Sequence, residues 1–483
     1  MSVDTVSEVV EQLRAALAKR DAVIAEQAKL IASLTTKVVA LEALVLRQNE
    51  VLGRNSGNSN LPPSSDGPGA SGAQARPTPK SGRKRGGQKK HKGSHRALLP
   101  AEKVDEFVDM FPARCEACDA PLPKTPDTRP KRHQHTELVP FAPHVTEYRR
   151  HEVCCLACGH RTRALYDDDI IPSSAFGPRL MATVALLTGV YHLSRRKAVS
   201  LLYELLGLRI STGSVSNIEK RMSQAVEPAV DEAWAVARAA PVKHTDGTTW
   251  RQAGVMLALW TLATVRATVF KIVSNGRRET LERELLPTVQ GVLVSDRATA
   301  LKFWVMKQRQ VCWAHLLRKF VSFAERDGPA RTLGRELLDG TALIFAYWTE
   351  FKEGRVTREQ MIGRMAPVRA DFERTVQRAV AAEIDGLSGS CADIWEHREA
   401  LWTFIETAGV EPTNNHAERE LRGFVLWRKR SFGTQSDRGN RFAERLMTIA
   451  HTARKQGREL LAFLVSCASR TVDEPVPSLF ATA

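Results

Sequence analysis

The chain has 483 residues, 43% of them hydrophobic, which is material for at least one large core but too much length for a single one, so three or more structural units are expected. Its 70 Lys and Arg outnumber 54 Asp and Glu, and the formal charge of +16 calls for a polyanionic partner. Patterning argues against a membrane protein. The longest uncharged stretches, Leu180 to Leu193 and Gln252 to Val265, fall short of the roughly 18–20 residues a spanning helix needs. Met1 to Glu11 carries acids and no apolar signal core, so the expected location is cytoplasmic and nucleoid-associated, with reduced cysteines.

Residues 1–52 read as one long helix. Val10, Leu17, Ile24, Ile31, Val38, Val45 and Leu52 recur at heptad spacing, with Val6, Leu13, Arg20, Gln27, Leu34, Leu41 and Gln48 as the partner series. This is the seam of a coiled coil and predicts a homo-oligomer, dimer or trimer; a buried amphipathic helix is the alternative. Residues 53–100 change to Gly/Ser/Pro-rich sequence without an acid between Asp66 and Glu102, and concentrate cations that include Lys84, Arg85, Lys89 and Lys90. Such a stretch reads as a flexible linker, and as a sequence-indifferent phosphate binder.

Residues 101–165 contain Cys115-x-x-Cys118 and Cys155-x-x-Cys158. Two such knuckles can close a tetrahedral four-thiolate site for a structural Zn²⁺, a zinc ribbon, with the segment around Val139 to Tyr148 as a hairpin arm. Cys154 could replace Cys155. Cys312, Cys391 and Cys467 stand alone and read as small buried residues. Residues 166–240 are helical. A helix through Ala198, Leu201, Leu202 and Leu205 should stop at Gly207, and Ser211 or Thr212 should cap a second through Val215, Ile218 and Met222. The pair resembles a helix-turn-helix offering Ser214, Asn217 and Lys220 to DNA, although any helical hairpin gives the pattern.

Residues 241–325 and 406–470 read as two parts of one α/β core, interrupted by a helical insertion at 326–405 and followed by a tail, 471–483. Asp246 is expected at the end of a short strand from Pro241, and Asp296 just after the apolar strand Gly291–Ser295. Glu418 is expected near the start of a helix. Strands at 255–260 and 267–273, and a fifth at 310–313, complete the strand–strand–strand–helix–strand order of an RNase H-like core. Carboxylates on neighbouring strands and a facing helix can converge into a hard-oxygen site for Mg²⁺, competent for in-line attack on a phosphodiester. Glu418 and Arg422, four residues apart, could instead be a helix-surface ion pair.

Several segments together resemble the DDE transposases of the insertion-sequence-66 type over nearly the whole chain. They are Asn58–Asp66, Gly86-Gly87-Gln88 with His91 and Gly93, the four cysteines, Gly177-Pro178 with Leu180, Val311–Phe320, and above all Asn414-Asn415-x-Ala417-Glu418-Arg419-x-Leu421-Arg422 through Arg428-Lys429. The resemblance implies an RNase H-like catalytic domain in which Asp246, Asp296 and Glu418 bind two Mg²⁺ ions to cut transposon ends and join the freed 3′-OH to target DNA. It also implies small accessory proteins acting beside this one. Arg318, Lys319, Arg422, Arg428 and Lys429 are candidate DNA contacts by their charge and place, with His315 either a phosphate contact or a structural residue. Gly247 departs from the pattern, where Glu commonly follows the first Asp, as do Arg297-Ala298-Thr299 after the second Asp and Thr413 before the paired Asn. A nuclease of the same fold that never joins strands, and a regulator that only binds DNA, are the competing readings.

Overall fold

The computed structural model describes residues 3–55, 58, 97–139, 142–166, 174–288, 290–470 and 474–481. Two compact units are formed: one from Met1–Ala75, Ile171–Ser194 and Ser216–Ala483, the other from Arg76–Ile170 and Arg195–Val215. Lys84, Arg85, Lys89 and Lys90 lie outside the described residues.

In the larger unit α1 (Val3–Leu52) is a single uninterrupted helix. Its seam residues Leu17, Ile24, Ile31, Leu34, Val38, Leu41 and Val45 are all exposed, a continuous apolar stripe turned to solvent.

The smaller unit carries the cysteine knuckles. Strands β1 (Glu152–Cys154) and β2 (Arg161–Arg163) form an antiparallel hairpin around the second knuckle. The hairpin therefore sits at the Cys155–Cys158 turn, where Gly159 N–H closes onto Cys155 O at 2.8 Å. The expected arm near Val139 to Tyr148 has no strand among its described residues. A helix of the larger unit, α2 (Pro178–Ala185), starts with Pro at its first turn and widens at Leu186–Val190. Helix α3 (Arg195–Leu206) stops as expected where Gly207 takes φ 64°. The side chain of Ser211 caps α4 (Thr212–Ala225) by accepting Ser214 N–H at 3.0 Å, and Asn217 and Lys220 are exposed on it.

After α5 (Glu227–Ala239) comes a mixed α/β core in the larger unit. Its strands are β3 (Val242–Gln252), β4 (Val255–Ala263), β5 (Thr268–Val273), β6 (Val292–Ser295) and β7 (Arg309–Val311), with α6 (Arg278–Glu284) between β5 and β6. The sheet order is β5-β4-β3-β6-β7, antiparallel across β5, β4 and β3 and parallel across β3, β6 and β7. A five-stranded mixed sheet in this order is consistent with an RNase H-like core.

The remaining helices are α7 (Trp313–Ala324), α8 (Pro329–Lys352), α9 (Arg358–Ala381), α10 (Ser388–Glu396), α11 (Thr403–Glu406), α12 (Asn415–Ser431), α13 (Asp437–Lys455) and α14 (Leu460–Ser469). One apolar cluster joins Trp250, Leu259 and Phe270 of the sheet to Leu421, Phe424 and Trp427 of α12 and Met447 of α13. Another places Ala233 and Ala237 of α5 and Leu281 of α6 with Trp260, Leu262 and Val269. The helices inserted between α7 and α12 share a third with β6, β7 and α7, centred on Trp313, Phe320, Phe372 and Trp402. The backbone of edge strand β5 is covered by one face of α13. Thr268, Phe270 and Ile272 donate their N–H groups to Thr452, Thr448 and Glu444, so that strand period two meets helix period four. Among the described residues, no helix is long and apolar enough to cross a membrane.

Candidate active site

Asp246 stands in the middle of β3 rather than at its end. The strand continues to Gln252 because the Ala253-Gly254 turn, with φ 48° and 85°, zips it to β4 in full register. Its parallel ladder with β6 spans only Val242 to His244, so Asp246 sits just past the point where those two strands part. Asp296 follows the last residue of β6. Its carboxylate accepts Ala298 N–H at 2.9 Å, while the buried Arg309 guanidinium donates to Asp296 O at 2.8 Å and to Ser295 Oγ at 3.3 Å. Glu418 lies in the first turn of α12, where a carboxylate is favoured by the helix dipole.

The three carboxylates share one field. Burial, then the charge of Asp296, then that of Glu418 push Asp246 up to about 8, against the opposing pull of Gly247 N–H and Arg318. Glu418 does not depend on Arg422, as a helix-surface pair would; it faces α7, with Oε2 3.7 Å from Arg318 Nη2 and Oε1 3.7 Å from His315 Nδ1. Glu418 Oε1 and His315 Nδ1 are buried atoms without a hydrogen-bond partner. Burial pushes His315 toward its neutral form and pushes the neighbouring Cys312 thiol up to about 11, so Cys312 stays protonated. A carboxyl raised first by its burial and then by two neighbouring carboxylates, beside an orphaned carboxylate oxygen, leaves the region short of positive charge, although among the described residues the ligand atoms of the three acids do not all lie within 4.8 Å of one another. Hard oxygens in that state fit a divalent cation such as Mg²⁺.

Asn414, overlooked in the sequence except as part of a motif, ties the acid-bearing segments together. It is fully buried. Its Nδ2 donates to Thr245 O on β3 at 2.8 Å, its Oδ1 lies 3.3 Å from His244 Nδ1, and its N–H meets Cys312 Sγ at 3.1 Å. Its carbonyl accepts Glu418 N–H at 3.2 Å, opening α12. Behind it, against the opposing effect of burial, Glu420 is held well below the usual carboxylate range by His416 of its own helix and by His451 and Lys455 of α13. Helix α10 reaches the second acid: Asp393 pairs with Arg297, next to Asp296, and with Lys302. Asp393, Glu396 and His397 also cluster, but Arg297 and Lys302 already compensate those acids. Gly247 also has a structural cause. It faces Trp260 across the ladder, and a Cβ there would stand 2.8 Å from that ring.

Among the cations, Arg318 and Lys319 are half-buried on α7, and Arg422 and Lys429 are exposed on α12. Arg428 is engaged with β3, donating to Thr248 Oγ1 at 3.2 Å and to Thr249. The cysteines form two separate knuckles. Backbone N–H groups of Ala117 and Cys118 lower Cys115, and those of Cys158 and Ala157 lower Cys155, as in turns that favour thiolates. Cys154 instead ends β1, its thiol donating to Gly159 O. Among the described residues the four sulfurs are not gathered into one ligand set.

Residues 173–441 match the family model described as "Transposase IS66 family", and residues 14–97 match a "Family of unknown function (DUF6444)". The chain is similar to the "Uncharacterized protein y4hP" of Sinorhizobium fredii (strain NBRC 101917 / NGR234), with 24% identity over 380 residues, 71% of this chain and 68% of that protein.

Proposed function

The chain belongs to the IS66 transposase family, whose members are DDE polynucleotidyl transferases, and from that premise we propose that Asp246, Asp296 and Glu418 are its catalytic acids. What supports this reading is that Asp246, half-buried where β3 and β6 part, lies within the field of both Asp296 and Glu418, so that burial and then those two charges push it up to about 8. These three side chains would hold Mg²⁺, which when bound supplies the positive charge that polarises a phosphodiester and eases departure of its alkoxide. No covalent protein intermediate is needed. In the first step a water oxygen attacks phosphorus at the element's end and the 3′ oxygen leaves, taking a proton to become 3′-OH. In the second, that 3′-OH attacks a target phosphodiester, forming one P–O bond as another breaks. Arg318, beside Glu418, and Lys319 stand where they can meet non-bridging phosphate oxygens, and neutral His315 limits the charge crowded around Glu418.

Asp246→Asn tests the assignment. It should abolish Mg²⁺-dependent cleavage and strand transfer from a pre-cut donor end while DNA binding in EDTA is unchanged; surviving activity removes Asp246 from the site. A wild-type chain that cuts in Mg²⁺ but never joins ends is the nuclease, and one that binds DNA without cutting is the regulator.

The same reading gives the rest of the chain its parts. Residues 1–52 are the self-associating helix, 53–100 a cationic linker and 101–165 a zinc ribbon using Cys115, Cys118, Cys155 and Cys158. Residues 166–240 make the helix-turn-helix-like DNA contact, 241–325 and 406–470 the RNase H-like core, 326–405 its helical insertion and 471–483 the tail. Small accessory proteins and a nucleoid-associated, cytoplasmic site of action belong to this proposal. Arg422 and Lys429 extend the DNA path along α12, whereas Arg428 serves it indirectly by bracing β3.

A further inference from the structure

Helix α12 begins at the acid site and ends at Phe432, which caps it with a left-handed φ of 58°. That conformation is taken at helix ends mostly by Gly or Asn, and a bulky side chain there is strained. The turn is secured without the ring. Phe432 N–H donates to Arg428 O at 2.9 Å, Gly433 N–H to Ser431 Oγ at 3.3 Å, and Gly433 lies so close to β3 that a Cβ would stand 2.0 Å from Arg251 O. A glycine at 432 would make the same turn with less strain. Packing does not require the ring either, since Phe432 is 73% exposed.

The ring continues a cationic face. Arg419, Arg422, Lys429 and Arg430 are exposed along α12, with Leu426 exposed among them. Glu420, the one acid between Arg419 and Phe432, is turned inward onto His451 and Lys455. Cations that follow a phosphate backbone, beside an aromatic face open to solvent, are the elements of a site for unpaired nucleic acid. By helical rise Phe432 lies about 20 Å from Glu418, roughly six nucleotide steps along a strand.

We propose that Phe432 is a base-stacking site: its ring takes an unpaired nucleobase of the DNA strand that Arg419, Arg422, Lys429 and Arg430 hold along α12. This rests on the reading of the chain as a DNA transposase and names how its site region grips a strand that is not fully paired. Stacking tolerates any base, so the test needs no particular sequence.

The full-length chain is titrated in EDTA against a fluorescein-labelled duplex with a single-stranded tail, and against the same duplex fully paired. Phe432→Ala and Phe432→Gly should bind the tailed probe about ten-fold more weakly and the paired probe as wild type does, and Phe432→Trp should restore the tailed affinity. Phe432→Gly should also melt at or above the wild-type temperature, since strain is relieved. Unchanged tailed binding in both small variants overturns the proposal, as does equal weakening on both probes, or a lower melting temperature for Phe432→Gly. EDTA bars the chemistry. Failure of wild-type strand transfer with this binding difference intact would sink the transposase reading alone; loss of the difference with transfer intact would sink the stacking site alone.

Discussion

Asn414 is where the acid-bearing segments meet: its side-chain amide reaches β3, while its backbone N–H meets the residue ahead of α7 and its backbone carbonyl the first turn of α12. Asn414→Ala would leave Thr245 O, a buried carbonyl, without its donor, costing roughly 1–3 kcal/mol of stability. The larger effect is expected on rate, because an ångström of drift between Asp246 and Glu418 is worth about 100-fold. Urea unfolding together with cleavage assays on the same preparation checks this; lowered stability with full activity would make Asn414 a purely structural residue. The three acids stood out in the sequence because each sits in a strong local pattern: an apolar strand, a β stretch or a helix start. Asn414 did not, because its partners lie as much as 170 residues away and no periodicity encodes such contacts. Arg309 and Asp393, which reach Asp296 and its neighbour, escaped for the same reason. Gly247 looked like a departure from the family and is explained only by the Trp260 ring across the ladder.

Among the elements, the pairing of α13 with β5 shows how an edge strand is kept from other chains. Two of the three helix side chains that receive its N–H groups are threonines, neutral at any pH, and the third is Glu444. Burial pushes Glu444 up from 4.5 to about 7. Between those values the folded protein holds a proton that the unfolded chain has released, so this group makes stability fall as pH rises through the window. The fall is at most about 3 kcal/mol, since each pKa unit is worth 1.36 kcal/mol. Glu444→Gln keeps an acceptor for Ile272 N–H and removes the titration. Its stability relative to wild type should therefore rise from pH 4.5 to 7, as thermal melts across that range would show; parallel pH curves for the two proteins contradict the assignment. Strand and helix identities were legible here from apolar runs and from caps such as Ser211 and Gly207. The length of β3 was not, because it depends on nine paired residues of β4 rather than on its own composition.

At the scale of the whole molecule, two features are incomplete within a single chain: the cysteine knuckles and α1. Each knuckle is a turn whose N–H groups favour thiolate, and two thiolates alone do not complete a tetrahedral zinc shell. If Cys115, Cys118, Cys155 and Cys158 close one site, the purified protein carries about one zinc per chain, lost in a Cys155→Ser variant but retained in Cys154→Ser; equal loss in both would return the ligand to either cysteine. Helix α1 presents Ile24, Ile31, Val38 and Val45 to water along its length, a stripe that no described segment of the same chain buries. Isolated apolar seams of this kind are stable when a second copy covers them. Residues 14–97, which contain most of that helix, match a family model of their own. Removing residues 1–52 should therefore convert an oligomer into a monomer by light scattering, leaving metal-dependent cutting of a single end and losing events that need two ends held together. A full-length chain already monomeric at the concentrations where it joins DNA would show that α1 serves some other purpose.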